Sequence, residues 1–347
     1  MKIVNEPFGV TAQGQPVERY TLTDGNCSAS VLTLGGILQS WTVPDRNGTP
    51  TDIVLGFDSV GAYEAQDCYI GALLGRCANR IADGRITVGQ QTYTLACNDN
   101  GINHLHGGMV GFDRRIWKAT VLPDGLQLQY ESPDGEEGYP GRLSVTAIYR
   151  LTQDTLSIEF FAQSDKDTVC NLSSHSYFNL GGHASGSVGS QMIQVDADRY
   201  TPLASNNAPT GEVASVEGTP FDLRQPAWFD AGWDSDFTQI ALAGGYDHNY
   251  IPAGDGLRPF AQASCPQTGI TLTVTSDMPG VQLYTGNFLR DDLPEGKQHA
   301  KYDRRHGFCL ETQFWPNAFA CPDFPQPIVH VGETYHHITN YRYSVCP

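Results

Sequence analysis

The sequence predicts an all-β protein built as one large antiparallel β-sandwich, and three observations support this fold class. Short stretches of alternating apolar and polar residues recur along the chain, whereas segments with helical periodicity are scarce. The chain contains 37 glycines and 21 prolines among 347 residues, which favours many turns between short strands. It shows no strand–helix alternation, internal repeat or linker, so we expect residues 1–347 to form a single domain.

The N-terminal 60 residues are predicted to be β-structure. Residues 28–34 alternate, Gly35 and Gly36 interrupt the alternation, and residues 37–43 resume it before a turn at residues 44–48. A glycine pair at this place predicts a bend or bulge inside a strand.

The alternation is clearer after residue 111. Two predicted strands flank Pro123, Asp124 and Gly125, a strong turn signal. The predicted strands of this part cover residues 117–122, 126–131, 144–151, 155–163, 192–195, 270–275 and 281–284. Only short pieces such as residues 59–65 could form a helical turn or two, and residues 201–245 are predicted to be a long loop over one face.

Charge and composition exclude several classes of function. The formal net charge is -17 and no run of Lys or Arg occurs, so a nucleic-acid surface is not expected. No apolar run of about 18 residues is present, so we expect no membrane span. Residues 1–10 lack the profile of a signal peptide. The nine cysteines are scattered without a CxxC pair, which favours reduced thiols and a cytoplasmic location.

The stretch from Asn103 to Gly108 is the first candidate site. It contains His104 and His106, which would point to the same side if the chain were extended. The glycines that follow allow a sharp turn or a close approach to a ligand. Two hydrogen-bonded histidines at a strand end remain an alternative, as does a zinc site completed by a third histidine.

Four further stretches combine polar side chains with glycine or aromatic residues. Carboxylates, amides, His and Arg bind hydroxyl groups, and an aromatic face packs on a sugar ring, so this mixture suits an uncharged hydroxylated ligand. The four stretches are residues 174–180, 245–250, 282–287 and 310–316.

Together these stretches resemble the aldose 1-epimerase (galactose mutarotase) family. The matches occur in the family's order at residues 75–81, 105–108, 111–117, 135–141, 175–180, 218–222, 246–248, 284–287 and 310–312. The resemblance implies a galactose mutarotase-like supersandwich, one domain of unusually large sheets, with no metal and no organic cofactor. It implies interconversion of the α and β anomers of a free hexose such as D-galactose or D-glucose.

The resemblance also implies a role for individual residues. Glu311 is similar to the base that takes the C1 hydroxyl proton, and at its usual pKa of about 4.3 it would be ionised. His175 is similar to the acid that protonates the ring oxygen, and a modest upward pKa shift would keep it charged. The implied substrate-binding residues are His106, Asn79, Arg80, Asp247 and Gln282.

Several points stay open at this level. The family usually has Asn where this chain has Ser174, and a hydroxyl could orient His175 with less reach. His248 has no assigned role. The sequence does not determine the preferred sugar or whether the protein is a monomer or a homodimer. Rival functions are a hexose-phosphate epimerase, which needs a cationic pocket, a glycosidase using Asp247 and Glu311, and a non-catalytic carbohydrate-binding module.

Overall fold

A computed structural model describes residues 1–346, and the regular secondary structure of these residues consists almost entirely of β-strands, as the sequence predicts. The strands of the first half are β1 (Lys2–Val10), β2 (Pro16–Asp24), β3 (Cys27–Leu32), β4 (Leu38–Pro44), β5 (Pro50–Asp52), β6 (Leu73–Leu74), β7 (Arg80–Ala82), β8 (Arg85–Val88), β9 (Gln91–Thr94), β10 (Asn103–Leu105), β11 (Lys118–Leu122), β12 (Gly125–Ser132), β13 (Leu143–Leu151), β14 (Thr155–Ser164), β15 (Thr168–Val169) and β16 (Ser173–Ser174).

The second half completes the sheets and contains one of the two α-helices. Its strands are β17 (Met192–Val195), β18 (Ala197–Tyr200), β19 (Ala214–Ser215), β20 (Ala227–Trp228), β21 (Asp247–Pro252), β22 (Arg258–Ser264), β23 (Ile270–Ser276), β24 (Gly280–Tyr284), β25 (Cys309–Gln313), β26 (Ile328–Val329) and β27 (Tyr335–Val345). The α-helices are α1 (Val60–Ala65) and α2 (Thr238–Ala243). The short 3₁₀ helices are Phe112–Arg114, Glu136–Gly138, Val188–Ser190, Phe229–Ala231, Lys297–His299 and Ala318–Ala320.

Three large sheets organise the chain. The first contains β1 to β5 in sequence order, and the second has nine strands in the order β11-β12-β13-β14-β27-β23-β22-β17-β20. The third has the order β19-β18-β21-β24-β25. Neighbouring strands in the nine-stranded sheet pair antiparallel throughout, which confirms the predicted sheet type.

The main core lies between the first sheet and the nine-stranded sheet. Strands β2 and β3 pack against β12 and β13. Their inward residues, such as Leu22, Val31, Leu128 and Ala147, belong to one buried apolar cluster. Strand β14 alternates buried and half-buried residues, the pattern expected of a strand with one face on the core. Burial of these alternating apolar faces is therefore what holds the two sheets together.

The third sheet supports the candidate site, since all residues of β21, β24 and β25 are buried, including charged and amide side chains. Strand β24 lies between β21 and β25. In the register, Asp247 is opposite Tyr284, and Gln282 is opposite Glu311. Polar side chains on fully buried strands are costly unless they are paired or used, so this sheet is where function is expected.

Most predictions for individual elements were confirmed, with two corrections. Residues 201–245 are not one long loop, because they contain β19, β20 and α2. The other correction concerns the glycine pair. Gly35 and Gly36 do not bend a single strand: β3 and β4 pair antiparallel, and the chain reverses between them. Both glycines have positive φ, and a Cβ on Gly35 would collide with the carbonyl oxygen of Asp113. The short predicted helix is α1, capped by the Ser59 hydroxyl, which accepts a hydrogen bond from Ala62 N.

Two findings concern the membrane and cysteine predictions. Among residues 1–346, no helix has the length and apolar character that a membrane crossing requires. All nine cysteines have free thiols.

Candidate active site

One pocket of about 160 Å³ gathers most of the predicted site residues. It lies where β21, β24 and β25 meet the segment before β6, the start of β7 and the segments directly after β10 and β16. Its lining residues are Asp67, Cys68, Tyr69, Asn79, Arg80, Leu105, His106, His175, Tyr177, Asp247, Tyr284, Phe288, Arg290 and Glu311. Six of the seven residues that the sequence predicted for the site therefore line one cavity, although they come from separate parts of the chain.

Glu311 and His175 face each other across this pocket. Glu311 is in the middle of β25 and is only 2% exposed. Its Oε1 atom lies 3.8 Å from Nε2 of His175, beyond direct hydrogen-bond distance. Its Oε2 atom is buried and has no hydrogen-bond partner within the described chain. A buried carboxyl oxygen without a partner is costly to the fold, and a hydrogen-bond donor entering the pocket would remove that cost.

His175 is held in place by backbone hydrogen bonds and not by the side chain of Ser174. The His175 N–H donates to the Ala72 carbonyl at 2.8 Å, and the Gly71 N–H donates to the His175 carbonyl at 3.0 Å. The Ser174 hydroxyl instead bonds to the Ser176 hydroxyl at 3.0 Å. The structure thus assigns Ser174 a local contact and no bond to the imidazole.

The ionisation expected for the pair differs from what the structure indicates. Burial lowers the pKa of His175 to about 4, whereas an upward shift was expected. Burial, reinforced by the Asp247 carboxyl, raises the pKa of Glu311 well above its usual value, although Arg80 opposes this effect. Burial therefore favours the neutral form of each group. The sequence could not reveal this shift because reference pKa values apply to groups in water.

His106 is held in one tautomer. It has φ of 50°, and its Nδ1 accepts a hydrogen bond from Asn79 N at 3.1 Å. Since a backbone N–H can only donate, Nδ1 carries no proton and the neutral ring carries its proton on Nε2. Burial, together with His175 and Arg80, lowers the pKa of His106 well below its usual value. His106 is thus a neutral hydrogen-bond donor in the pocket.

Asn79 and Arg80 lie side by side on the lining. Asn79 has φ of 64°, and its Oδ1 accepts a hydrogen bond from Arg80 N at 2.8 Å, which leaves its Nδ2 group for the pocket. Arg80 Nε donates to Asp99 Oδ2 at 2.8 Å and forms an ion pair with that carboxylate. The second partner of Arg80 is Asp247, at 3.8 Å.

Asp247 lines the pocket, but Gln282 lies behind it. The Gln282 Nε2 group donates to Asp247 Oδ1 at 2.7 Å, and the side-chain oxygen Oε1 of Gln282 accepts from Gln313 Nε2 at 3.1 Å. Burial raises the pKa of Asp247, while Arg80 and Gln282 lower it. The direct sugar contact predicted for Gln282 stays a prediction. In the structure, its contact is with Asp247, and it does not belong to the lining.

The two histidines of unassigned role lie outside the pocket lining. His104 does not act beside His106, because the positive φ of His106 ends the extended stretch at Leu105. His104 Nδ1 lies 2.7 Å from the Ala96 carbonyl, and its Nε2 lies 2.6 Å from the Tyr139 hydroxyl. His248 Nε2 lies 3.1 Å from Gln239 Oε1, which connects β21 to helix α2. These contacts indicate structural roles for both.

Three groups could be considered as metal ligands. Donor atoms of His106, His175 and Glu311 all lie within 4.8 Å of one another. A metal at Nε2 of His106 would require its proton on Nδ1, where the Asn79 N–H already donates. His106 would have to lose both ring protons to ligate there, so the donor set fits a metal poorly. The structure groups His106 with His175 and Glu311 and not with His104, so the zinc site considered for His104 and His106 is not favoured.

Sequence reasoning missed one wall of the pocket. Tyr69 has its ring centroid 4.6 Å from that of His106 and 5.9 Å from that of His175. Phe288, which is 51% exposed, stands at the rim beside an Arg290–Asp67 ion pair of 2.8 Å. These residues are in irregular connections without alternation or reactive motifs. The one weak sequence signal for this wall is that residues 67–69 closely precede Gly71, where the chain turns.

Comparisons with known proteins identify the family of the chain. A family model described as Aldose 1-epimerase matches residues 18–342. Galactose mutarotase from Bos taurus is 41% identical over 330 residues, covering 95% of this chain and 94% of its own length. Aldose 1-epimerase from Escherichia coli (strain K12) is 35% identical, covering 98% and 99%.

Solved structures show the same architecture. The galactose 1-epimerase structure from Lactobacillus acidophilus NCFM superposes with a TM-score of 0.87 at 26% identity, covering 100% of both chains. An aldose epimerase homologue from C. elegans also gives a TM-score of 0.87 at 26% identity, covering 94% of this chain and 98% of its own. These similarities confirm the mutarotase-like fold predicted from the sequence.

Proposed function

The chain belongs to the aldose 1-epimerase family, and on that premise we propose that it interconverts the α and β anomers of a free aldohexose. The protein is thus an isomerase. One observation carries the assignment of the reacting groups: the buried Glu311 carboxyl has an unpartnered oxygen and lies 3.8 Å from His175 across the pocket. A sugar bound between the two groups would place its C1 hydroxyl at Glu311 and its ring oxygen at His175.

In the proposed reaction, Glu311 removes the proton from the C1 hydroxyl. The C1–O5 bond breaks as the C1 carbonyl forms, and His175 delivers a proton to O5. Rotation about the C1–C2 bond then exposes the other face of the carbonyl. Ring closure reverses the two proton transfers, with O5 attacking C1 and Glu311 returning its proton to O1.

The raised pKa of Glu311 and the lowered pKa of His175 would supply the proton that this cycle needs. With Glu311 protonated and His175 neutral, the pair carries one transferable proton and no net charge. Sugar hydroxyls that donate to the Glu311 carboxylate would favour its ionised form and transfer of that proton to His175. We propose that substrate binding sets up the base and the acid in this way.

The remaining lining residues are proposed to position the sugar. Asp247 would accept hydrogen bonds from hydroxyl groups, with Gln282 holding its carboxylate in place. The Asn79 amide and Arg80 would donate to other hydroxyls, and His106 would donate from Nε2. The preference between galactose and glucose would depend on which hydroxyl meets these groups.

The paired state of the arginines argues against a phosphorylated substrate. Arg80 bonds Asp99 and lies near Asp247, whereas Arg290 lies 2.8 Å from Asp67 and 2.6 Å from Asp292. Within residues 1–346, each arginine lining the pocket is thus already matched by carboxylates. A dianionic phosphate would meet buried Asp247 and Glu311 without a free cation, so a neutral hexose is the better fit.

We propose that the chain acts as a single domain, as a monomer or homodimer, on a small-molecule sugar without a metal or organic cofactor. A cytoplasmic location is supported by nine free thiols, seven of them buried.

Polarimetry of freshly dissolved α-D-galactose and α-D-glucose tests the function directly. We expect the protein to accelerate the approach to the same final rotation, after correction for the spontaneous rate. The ratio of the two accelerations gives the sugar preference. If sugar binds but neither rotation changes faster than in buffer, the protein is a binding module and the proposal fails.

A further inference from the structure

The Glu137 carboxylate bonds the segment that follows His106. Its Oε2 atom accepts a hydrogen bond from the Met109 N–H at 2.8 Å, and its Oε1 atom accepts one from the Val110 N–H at 3.1 Å. Hydrogen bonds to an ionised acceptor are roughly twice as strong as those between neutral groups. The stretch that contains Glu137, residues 135–141, has no part in the proposed reaction, so this contact is the first indication of what it does.

The segment after His106 needs an external partner because it begins with two glycines. Gly107 and Gly108 have φ of 93° and 105°, a conformation that favours glycine. A Cβ on Gly107 would collide with the Gly75 carbonyl oxygen, and one on Gly108 would collide with Glu137 Oε2. Glycines lose more conformational freedom on folding than other residues, so contacts from outside the segment must hold it in one conformation.

His106 is held by Asn79 on one side and by this turn on the other. Its N–H donates to the Asn79 carbonyl at 3.2 Å, and its Nδ1 accepts from the Asn79 N–H at 3.1 Å. The Gly108 N–H donates to the Leu105 carbonyl at 3.0 Å, which closes a turn around His106. Only two glycines separate His106 from Met109, so a displacement of Met109 would move the imidazole as well.

We propose that Glu137 is a positioning residue of the sugar site: its carboxylate holds Met109 and Val110, and through them the turn that places the His106 imidazole in the pocket. The effect on the sugar rests on the proposed function, whereas the contact with the turn does not. The close fit of Gly108 against the carboxylate follows from the same arrangement, since the contact leaves no space for a side chain there.

The neighbouring glutamate does not share this role. Glu136 Oε1 accepts from the Tyr130 hydroxyl at 2.6 Å and pairs with Arg115 Nη2 at 2.8 Å. The two successive carboxylates of residues 135–141 therefore bind different partners, and Glu137 is the one that contacts the turn after His106.

Amide hydrogen exchange in sugar-free protein tests the contact. The Met109 and Val110 side chains are 66% and 40% exposed and both residues lie outside the strands, so without Glu137 their amides should exchange rapidly. We expect protection of both amides in the wild type and exchange about tenfold or more faster in Glu137→Ala, the factor that a hydrogen bond to a charged group represents. Glu131→Ala removes an exposed glutamate of β12 and should leave both rates unchanged. Rapid exchange in the wild type, which needs no variant to fold, or unchanged exchange in Glu137→Ala overturns the proposal.

Steady-state kinetics by polarimetry test the link to His106. A neutral hydrogen bond corresponds to about a fivefold change in an equilibrium constant, so Glu137→Ala should raise KM about fivefold with a smaller change in kcat. In His106→Gln, the addition of Glu137→Ala should raise KM no further, because the group that Glu137 positions is already absent. An unchanged KM in Glu137→Ala, or a further fivefold rise in the double variant, contradicts the positioning role. Absence of mutarotase activity in the wild type would contradict the proposed function, and the exchange rates would still decide whether Glu137 holds the turn.

Discussion

Replacing Glu311 with Gln should slow the enzyme and stabilise the fold at the same time. Gln has nearly the same shape but cannot take a proton from the C1 hydroxyl. Proton transfer by a positioned group contributes about 10²–10⁴-fold, so we expect kcat to fall at least about 100-fold. Sugar affinity should change little, because the carboxylate acts mainly in the transition state.

The stability effect follows from the raised pKa of Glu311. In the unfolded chain this group ionises near its usual pKa, whereas in the folded pocket it resists ionisation. Such a group destabilises the native state increasingly as the pH rises above the unfolded pKa, by about 1.4 kcal/mol for each pH unit over which the folded group stays protonated. Glu311→Gln removes this penalty, so its advantage in free energy of unfolding should grow between pH 5 and pH 7.

Two assays on the same preparations measure these effects. Polarimetry gives kcat and KM, and denaturant unfolding at pH 5, 6 and 7 gives the free energy of unfolding. Glu212→Gln changes an exposed glutamate and controls for the loss of one carboxyl. Near-full turnover in Glu311→Gln would show that the base is misassigned. A stability advantage that shrinks as the pH rises would show that the folded site favours the ionised carboxylate.

Three further predictions concern binding, acid stability and metals. Asp247→Asn should raise KM about tenfold or more with a smaller effect on kcat, because a charged acceptor of sugar hydroxyls is lost; an unchanged KM in polarimetry refutes its role. Burial lowers the pKa of His248 to about 3, so it contributes stability that is present above pH 6.5 and lost as the pH falls toward 3. His248→Gln should flatten the decline of Tm between pH 6 and pH 4 without altering kcat at pH 7.5, and parallel declines would contradict this. Dialysis against a chelator should leave the polarimetric rate unchanged. A loss of activity that Zn²⁺ restores would show instead that His106, His175 and Glu311 bind a metal.

The sequence alone could predict the sheet type and six pocket residues, for identifiable physical reasons. Alternation in β13 and β14 reflects one buried face, so period-2 patterning locates such strands reliably. Reactive residues such as Glu311 and His175 lie in local motifs that resemble a known family. These signals are local in sequence, and the fold brings them to one cavity.

Other features depend on tertiary contacts and could not be predicted. Tyr69 reaches the pocket from an irregular connection, where no periodicity marks a residue as buried or exposed. Gln282 lies in a stretch that predicts a sugar contact, yet its side chain donates to Asp247. This contact depends on the pairing of β21 with β24, which the sequence does not show. The same applies to Gly35 and Gly36, since a turn and a bend require similar glycines and differ only in which strands pair.

Burial also explains why a Glu–His pair suits a reaction that runs in both directions. In water, a proton prefers His over Glu by about two pKa units. In the pocket, burial raises the pKa of Glu311 and lowers that of His175, so this preference shrinks or reverses. Anomer interconversion requires the two groups to exchange roles between opening and closure. Groups of similar proton affinity make both transfers inexpensive, whereas a strongly preferred proton position would slow one of them. Burial in the pocket thus brings the proton affinities of Glu311 and His175 closer together. Because the two groups are 3.8 Å apart, the proton passes between them through the sugar oxygens.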